Sequence, residues 1–503
     1  MTLLDRLDQW KHRYGQNPAP LERLLDQLDC ARFDDAPRLI RLHETLLFFC
    51  AYPPSAKVAR LAGERLASFP SHMAGLKCDR SPFEEAEVSG IGGSTVSAVY
   101  TYEVARSLAA RYGASIDIDW EWCPDLDRLG PLLSVVAPAA REEWPVEAHP
   151  PLRQWVEALK PRHQTALQWL LASLDALPLP DRERAALFDS ASLLLTFQLG
   201  GSSASRTLAR WPGAAPFIHD QPLLPRRAVS LEAEFALPPF PLQRLPLPEA
   251  RRALDLMLDA SAVRYRELYG FSRPDPHRVY RALPGRGLEI LWCGVPPAAR
   301  LPWRAYHAGM YCKNGVPAGY IEVLSFLERA EIGFNLYYTF REGEAAWIFA
   351  QLLRLCRQTL GVTRFALDPY QIGHENKEGI ASGAFWFYRK LGFRSVDPAL
   401  RQLTTSEERR IAAGNGYRTP ARTLCKLATS PMIYEPPDAT HGEWDRFHIR
   451  QLAQAHWPPS VRRAFAALQA LKLGPNEARY LRRMQQDPQL RAALLRLGSG
   501  DHS

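Results

Sequence analysis

The stretch AEIGFNLYYTFREGEAAWIFAQLLRLCRQTLGVTRFAL, residues 330–367, changes its hydrophobic pattern twice and decides the fold class. Its first part, up to Phe340, is rich in apolar and aromatic residues and predicts a strand. From Glu344 onward the apolar residues recur every three or four positions, which predicts a helix that Gly361 ends. Residues 362–370 predict the next strand. A strand, a loop, a helix and another strand in this order predict a mixed α/β domain.

The sequence on either side extends this pattern. Alternating or apolar runs predict further strands at residues 287–295, 305–313 and 318–326. Asn314-Gly315 separates the last two of these runs, and Asn-Gly between alternating segments is the strongest short-range signal for a β-hairpin. On the other side, residues 380–391 predict a helix that ends before Gly392. We therefore predict an α/β domain over residues 249–400.

Three segments of this domain resemble the GNAT superfamily of acyl-CoA-dependent N-acyltransferases. They are NGVPAGYIEV (314–323), TFREGEAAW (339–347) and AFWFYRKLGF (384–393), and the resemblance covers residues 280–400. It implies a mixed sheet with flanking helices, and acetyl-CoA or another acyl-CoA as co-substrate. It also implies that Ala330–Tyr338 and Val362–Leu367 are neighbouring strands that splay apart to admit the pantetheine arm.

The resemblance further implies a loop that binds the CoA diphosphate through backbone N–H groups and a helix N-terminus. The family's pattern, Gln/Arg-x-x-Gly-x-Gly/Ala, aligns with Phe340–Ala345. Gly343 and Ala345 match, whereas Phe340 departs from the first position and Glu342 and Glu344 bring negative charge. The implied cofactor-binding residues are Tyr338, Phe340, Arg341, Glu342, Gly343, Glu344 and Ala345. In the plain alternative, the glutamates only offset the helix dipole.

Tyr388 is the implied general acid, because the family's tyrosine in FY-x-x-x-GF protonates the departing CoA thiolate. On the predicted helix, Ala381 and Ala384 share a face with Tyr388 and would leave room for the thioester. Family members often carry Asn where this chain has Ala381. The alternative is that Tyr388 is a packed aromatic residue whose hydroxyl has found a partner.

The general base is chosen from three residues that could accept the proton of the amine. Glu322 is our first candidate, because a carboxylate on an inner strand face can have a raised pKa. Glu331 and His374 are the other candidates. For each one, a solvated surface position is the alternative interpretation.

The rest of the 503-residue chain gives weaker signals. Residues 1–240 predict a mostly helical region of unassigned function, with one alternating strand at 114–122. The proline-rich segment 211–248 predicts an extended linker or a wrapping arm. Residues 401–503 predict a helical extension with a basic tail from Arg446, which we expect to dock on another domain rather than bind nucleic acid.

Two further motifs each allow a ligand-binding and a structural interpretation. The glycine-rich run at residues 89–100 could cradle a phosphate, but helix capping by Ser94 or Thr95 is the favoured interpretation. The acidic residues of segment 117–127 could bind a divalent cation, but a solvated strand face is favoured. We therefore expect no metal.

Composition places the protein among soluble globular chains. The net charge is +8, and the eight cysteines form no CxxC pair or zinc-finger spacing, which is typical of a reduced cytoplasmic protein. No apolar stretch is long enough for a membrane span. We expect an enzyme that transfers an acyl group, with acetyl as the expected group, from acyl-CoA to a small-molecule or peptide amine. A non-catalytic binding or scaffold protein that has lost CoA chemistry is the alternative.

Overall fold

A computed structural model describes residues 2–30, 33, 35–77, 79–123, 126–137, 151–213, 215–300, 305–326, 329–414 and 416–439. The architecture is mixed α/β, with one nine-stranded and one three-stranded sheet, and this confirms the predicted fold class. The predicted basic tail lies outside the described residues.

The described helices and strands are as follows. The helices are α1 Leu3–Trp10, α2 Ala19–Asp26, α3 Ala36–Ala51, α4 Ala56–Ala74, α5 Tyr102–Tyr112, α6 Leu129–Val136, α7 Leu152–Leu159, α8 Ala166–Asp175, α9 Asp181–Ser190, α10 Leu231–Ala236, α11 Leu247–Ala262, α12 Tyr269–Ser272, α13 Ala345–Leu360, α14 Lys377–Ser382, α15 Ala384–Arg389, α16 Pro398–Ala412 and α17 Ala421–Leu427. The strands are β1 Thr95–Val99, β2 Ile116–Ile118, β3 Leu194–Gln198, β4 Leu242–Arg244, β5 Val279–Gly285, β6 Leu288–Gly294, β7 Ala305–Lys313, β8 Val316–Phe326, β9 Arg329–Leu336, β10 Arg364–Leu367, β11 Arg394–Ser395 and β12 Met432–Tyr434.

The large sheet has the strand order β11-β12-β10-β9-β8-β7-β6-β5-β4. Its strands from β4 to β9 form an antiparallel meander, and β9 pairs with β10 in parallel. The β7–β8 hairpin turns at Asn314 and Gly315, whose φ values of 47° and 76° fit a type I′ turn. The predicted hairpin is therefore confirmed, and so is the prediction that Ala330–Tyr338 and Val362–Leu367 contribute neighbouring strands.

Helix α13 connects the two parallel strands and is buried along two apolar stripes. Ile348, Phe349, Leu352 and Leu353 are fully buried, which confirms the wide apolar face predicted for this helix. The hydrophobic core that contains these residues also includes residues of α1–α4, so the first helices of the chain share one core with the large sheet. Residues of the small sheet form a second core of their own.

The proline-rich segment 211–248 wraps around α13 and the sheet, which agrees with the predicted wrapping arm. Gln351 donates a hydrogen bond to Glu234 at 2.8 Å, and Gln358 donates to the carbonyl of Phe240 at 2.9 Å. The segment then supplies β4, which pairs with β5 at the edge of the sheet. These bonds hold the arm against α13.

Three predicted elements differ from the structure. The strand predicted at 114–122 is only Ile116–Ile118, because Asp119 accepts hydrogen bonds from the N–H groups of Glu121 and Trp122 and turns the chain. The helical prediction for residues 1–240 also fails after Ser190, because Leu194–Gln198 form the strand β3. The helix predicted over 380–391 is two helices, α14 and α15, because Gly383 adopts a left-handed conformation with φ of 70° between them.

The glycine-rich motif is occupied by internal contacts. Thr95 begins a strand, and Ser94 donates to the carbonyl of Ile91. The prediction that one of them caps a helix is therefore wrong. The N–H of Gly92 donates to Thr207 inside the protein at 2.7 Å. Within the described ranges, no group of three or more His, Cys, Asp or Glu side chains is placed to hold a metal ion. No helix in this part of the chain combines the length and apolar character needed to cross a membrane.

Candidate active site

A cleft of about 650 Å³ opens where β9 and β10 separate. One wall is the second half of β9, and β8 adds Tyr320 and Glu322. The opposite wall comes from the turn after β10 and from α14 and α15, and Ala345 at the start of α13 closes one end. The lining thus combines aromatic rings with carboxyl, amide and guanidinium groups.

The separation of the two strands is visible in their register. The last residues that pair are Glu331 of β9 and Ala366 of β10, whereas β9 continues to Leu336. Beyond this point the Gln371 side chain takes the place of the missing strand. Its Oε1 accepts from the N–H of Phe334 at 3.2 Å, and its Nε2 donates to the carbonyl of Phe334 at 2.6 Å. The predicted opening between the strands is therefore present, and one side-chain amide bridges it.

Tyr388 lies on this cleft, as predicted, and is 2% exposed. Its ring packs edge-on against Phe349 and Phe393, with centroids 5.3 Å and 6.0 Å away. Its hydroxyl oxygen accepts a hydrogen bond from Gln371 Nε2 at 2.9 Å. Burial raises the pKa of Tyr388 above the usual tyrosine value, so the phenol keeps its proton at neutral pH. The residue is therefore packed in the core and also lines the cleft.

Glu322 lies on the cleft wall and is half-buried. Burial raises the pKa of this carboxyl, and the Tyr306 hydroxyl, which donates a hydrogen bond to it, acts in the opposite direction. Among the other candidates for the base, Glu331 also lines the cleft. His374 is half-buried in the turn after β10 and lies off the lining. The fold therefore brings both Glu322 and Tyr388 to one cavity.

Only part of the predicted CoA loop faces the cleft, and the rest lies at the surface or inside the protein. Arg341 and Ala345 line the cleft, and Arg341 forms an ion pair with Glu378. Tyr338 is 56% exposed, and the Glu342 carboxylate lies 4.0 Å from His12 at the surface. Of the remaining predicted residues, Gly343 lies against Tyr52, and Phe340 and Glu344 are fully buried.

Glu344 is fully buried in a charged cluster rather than exposed next to a diphosphate. Its carboxylate accepts from Lys313 Nζ at 2.8 Å and from Arg286 Nε at 3.1 Å. The Leu224 N–H donates to it at 3.2 Å, and its own N–H donates to the Tyr52 hydroxyl at 3.3 Å. Burial alone would raise the pKa of Glu344, but Lys313 and Arg286 outweigh that effect and lower it to about 2. The negative charge expected at the cofactor is therefore neutralised inside the protein.

Gly343 is closed off by Tyr52, which corrects the expectation that this glycine lets a ligand approach the backbone. A Cβ atom added at Gly343 would lie 2.5 Å from the Tyr52 ring. That ring stacks on Phe48, and the Tyr52 carbonyl accepts from the Tyr14 hydroxyl at 2.6 Å. A Gly343→Asp change would therefore disturb the fold, and it would not be a clean probe of cofactor binding.

We expect Gly343→Ala to lower the free energy of unfolding by about 1–3 kcal/mol, since one extra methyl group overfills a packed site. Denaturant unfolding measures this difference. The matched control is Gly63→Ala in α4, where an added Cβ meets nothing within 4 Å and the change should stabilise the helix by up to about 1 kcal/mol. Equal stability of the Gly343→Ala variant and the parent protein would contradict the seating of Tyr52 on this loop.

Several residues of the site were not predicted from the sequence. Gln371 lies in the polar segment after β10, where Asp368 and Pro369 signal a turn but do not indicate which side chain enters the cleft. Arg266 lies on the cleft wall beyond α11, 4.0 Å from Glu378. Ala381 lies outside the lining because Gly383 breaks the helix, whereas Ala384 lines the cleft. The glycine was the available signal, since a helix commonly ends at a left-handed glycine.

No protein-family model, no curated protein and no solved structure matches this chain.

Proposed function

We propose that this protein transfers an acyl group from an acyl-CoA to an amine. The observation that carries the proposal is the opening between β9 and β10, which Tyr388 lines. In the family that the sequence resembles, such an opening admits the pantetheine arm. The reacting thioester would then lie beside a phenol that keeps its proton at neutral pH.

The proposed reaction is a direct transfer. The neutral amine nitrogen attacks the carbonyl carbon of the thioester, a C–N bond forms, and the carbonyl oxygen takes up negative charge. The C–S bond then breaks, and the leaving thiolate takes the proton of Tyr388. Glu322 accepts the surplus proton of the amine, directly or through water, and the tyrosinate regains a proton from solvent. The raised pKa of the Glu322 carboxyl suits this role, because a base is most effective when its pKa approaches the working pH.

The nucleotide end of the cofactor would lie at Arg341 and Ala345. Ala345 is the first residue of α13, and first-turn N–H groups of a helix have no partner within that helix. They and the helix dipole favour a diphosphate, and Arg341 could exchange Glu378 for a phosphate. We place this reaction in the cytoplasm, because the cysteines described in the structure are all free. The amine would be a small molecule or a peptide.

The alternative, a non-catalytic binding protein, is favoured by one observation. Gly343 lies against Tyr52, and Phe340 and Glu344 are fully buried, so only part of the predicted CoA loop faces the cleft. A protein that had lost its cofactor would retain the cleft and the packed tyrosine without binding CoA. The two proposals therefore differ in the affinity for acyl-CoA.

Calorimetric titration with acetyl-CoA and longer acyl-CoAs tests the choice. We expect saturable binding, with at least a tenfold weaker affinity for Ala345→Asp, since the added carboxylate would repel the diphosphate at close range. Ala345→Asn is the matched control, because it adds a side chain of nearly the same size without the charge. If none of these acyl-CoAs binds the parent protein, the proposed function is wrong and the non-catalytic alternative stands.

A further inference from the structure

The side chain of Gln371 can be oriented unambiguously from its partners. A carboxamide has one oxygen that accepts and one nitrogen that donates two hydrogens. The oxygen accepts from the Phe334 N–H, and the nitrogen donates to the Phe334 carbonyl. Exchanging the two ends would place donor against donor and acceptor against acceptor, so the backbone of β9 fixes which end faces Tyr388.

The second hydrogen of the Gln371 nitrogen points to Tyr388. The distance from Nε2 to the phenol oxygen is 2.9 Å, which is a normal hydrogen bond. Because Tyr388 accepts this bond, its own O–H must point in another direction. The rings of Phe349, Phe387 and Phe393 surround the tyrosine ring and offer no oxygen or nitrogen acceptor. Tyr388 lines the cleft, which leaves the cleft as the direction for the hydroxyl proton.

The backbone that carries Gln371 is held in place before any ligand binds. The Asp368 carboxylate accepts from the Tyr370 N–H at 2.9 Å, and Asn376 donates to the Tyr370 carbonyl at 3.0 Å. Gly373, with φ of 120°, ends the short turn in a conformation that other residues rarely adopt. These contacts keep the amide at the position where β9 and β10 part.

We propose that Gln371 is a positioning residue for Tyr388. Its amide holds the phenol proton toward the cleft, and it stabilises the tyrosinate that remains after the proton has moved to the thiolate. This inference rests on the proposed function, because it assigns the proton of Tyr388 to an acyl-CoA sulfur. Alternate residues of a strand present their N–H and C=O groups to the same side. Leu336, two residues beyond Phe334, therefore presents its backbone groups to the cleft, where they stay available to the co-substrate.

A double-mutant cycle on turnover of acetyl-CoA tests the inference. The free energy of a hydrogen bond to a charged oxygen corresponds to a roughly 10- to 100-fold change in kcat when that oxygen becomes charged in the reaction. We expect Gln371→Met, which keeps the volume but removes the amide, to lower kcat by about that factor with little change in KM for the acyl-CoA. In the Tyr388→Phe background the same substitution should change kcat less than about twofold, because the partner is absent.

Gln371→Glu provides a second variant of the same shape. The carboxylate keeps an acceptor for the Phe334 N–H but cannot donate, and it would draw the tyrosine proton away from the cleft, so we expect kcat to fall at least as far as in Gln371→Met. Thermal melts of all variants check that they are folded. A parent protein that turns over no acyl-CoA would overturn the proposed function together with this inference. An active parent in which Gln371→Met lowers kcat equally in both backgrounds would overturn the inference alone.

Discussion

Replacing Tyr388 by phenylalanine is expected to lower turnover by roughly 100- to 10,000-fold, because general-acid catalysis contributes on that order. The change keeps the ring, which packs against Phe349 and Phe393, and removes only the hydroxyl. The bond from Gln371 is lost at the same time, so the free energy of unfolding should fall by about 1 kcal/mol. Steady-state kinetics and denaturant unfolding on the same preparation measure both effects.

The stability change alone does not distinguish the two interpretations of Tyr388. A tyrosine that is only packed would lose the same hydrogen bond, so the turnover decides between them. Tyr370→Phe is the matched control, because Tyr370 lines the same cleft but is 58% exposed. We expect this control to retain most of the activity. An active enzyme whose rate does not change on Tyr388→Phe would exclude the catalytic role.

The elements of the sheet around the cleft could be predicted because their signals are local. The turn at Asn314-Gly315 needs two residues with positive φ, and the sequence offers the preferred pair. The two apolar stripes of α13 and its end at Gly361 also follow from neighbouring residues. In contrast, β12 joins the sheet between β10 and β11 through long-range pairing, and its three residues carry too little pattern to be recognised.

The loop before α13 could not be predicted correctly because its partners are distant in the chain. Gly343 matched the resemblance, but the residue that covers it, Tyr52, comes from the end of α3. Glu344 was expected at the helix dipole, whereas its partners Lys313 and Arg286 come from the end of β7 and from the turn between β5 and β6. A resemblance restricted to residues 280–400 carries no information about such contacts.

The same limitation explains why Gln371 was missed. Its role depends on the parting of β9 and β10, on the backbone of Phe334 and on the hydroxyl of Tyr388, which meet only in the folded chain. The sequence did place polar side chains in the segment after β10. It could not indicate that one amide would satisfy three groups at once.

Glu344→Gln is expected to lower the free energy of unfolding at pH 7 by about 3–5 kcal/mol, because it leaves Lys313 and Arg286 without their buried counter-charge. The folded protein lowers the pKa of Glu344 from 4.5 to about 2. A carboxyl whose pKa is lowered by folding stabilises the protein above its unfolded pKa, and this stabilisation is lost as the pH falls from 4.5 toward 2. The difference between parent and variant should therefore shrink over that range.

Denaturant unfolding at several pH values between 7 and 3 measures this convergence. In the parent, protonation of Glu344 produces the same neutral side chain that the variant carries at every pH, so the two unfolding free energies should approach each other only in acid. Glu342→Gln is the matched control on the same loop, with a side chain that is 54% exposed, and we expect a change of no more than about 0.5 kcal/mol. A constant difference between parent and Glu344→Gln at all pH values would mean that the carboxylate charge does not stabilise the loop. In that case the covering of the loop by Tyr52 and the N-terminal helices would depend on packing alone, because the charged cluster would contribute nothing to it.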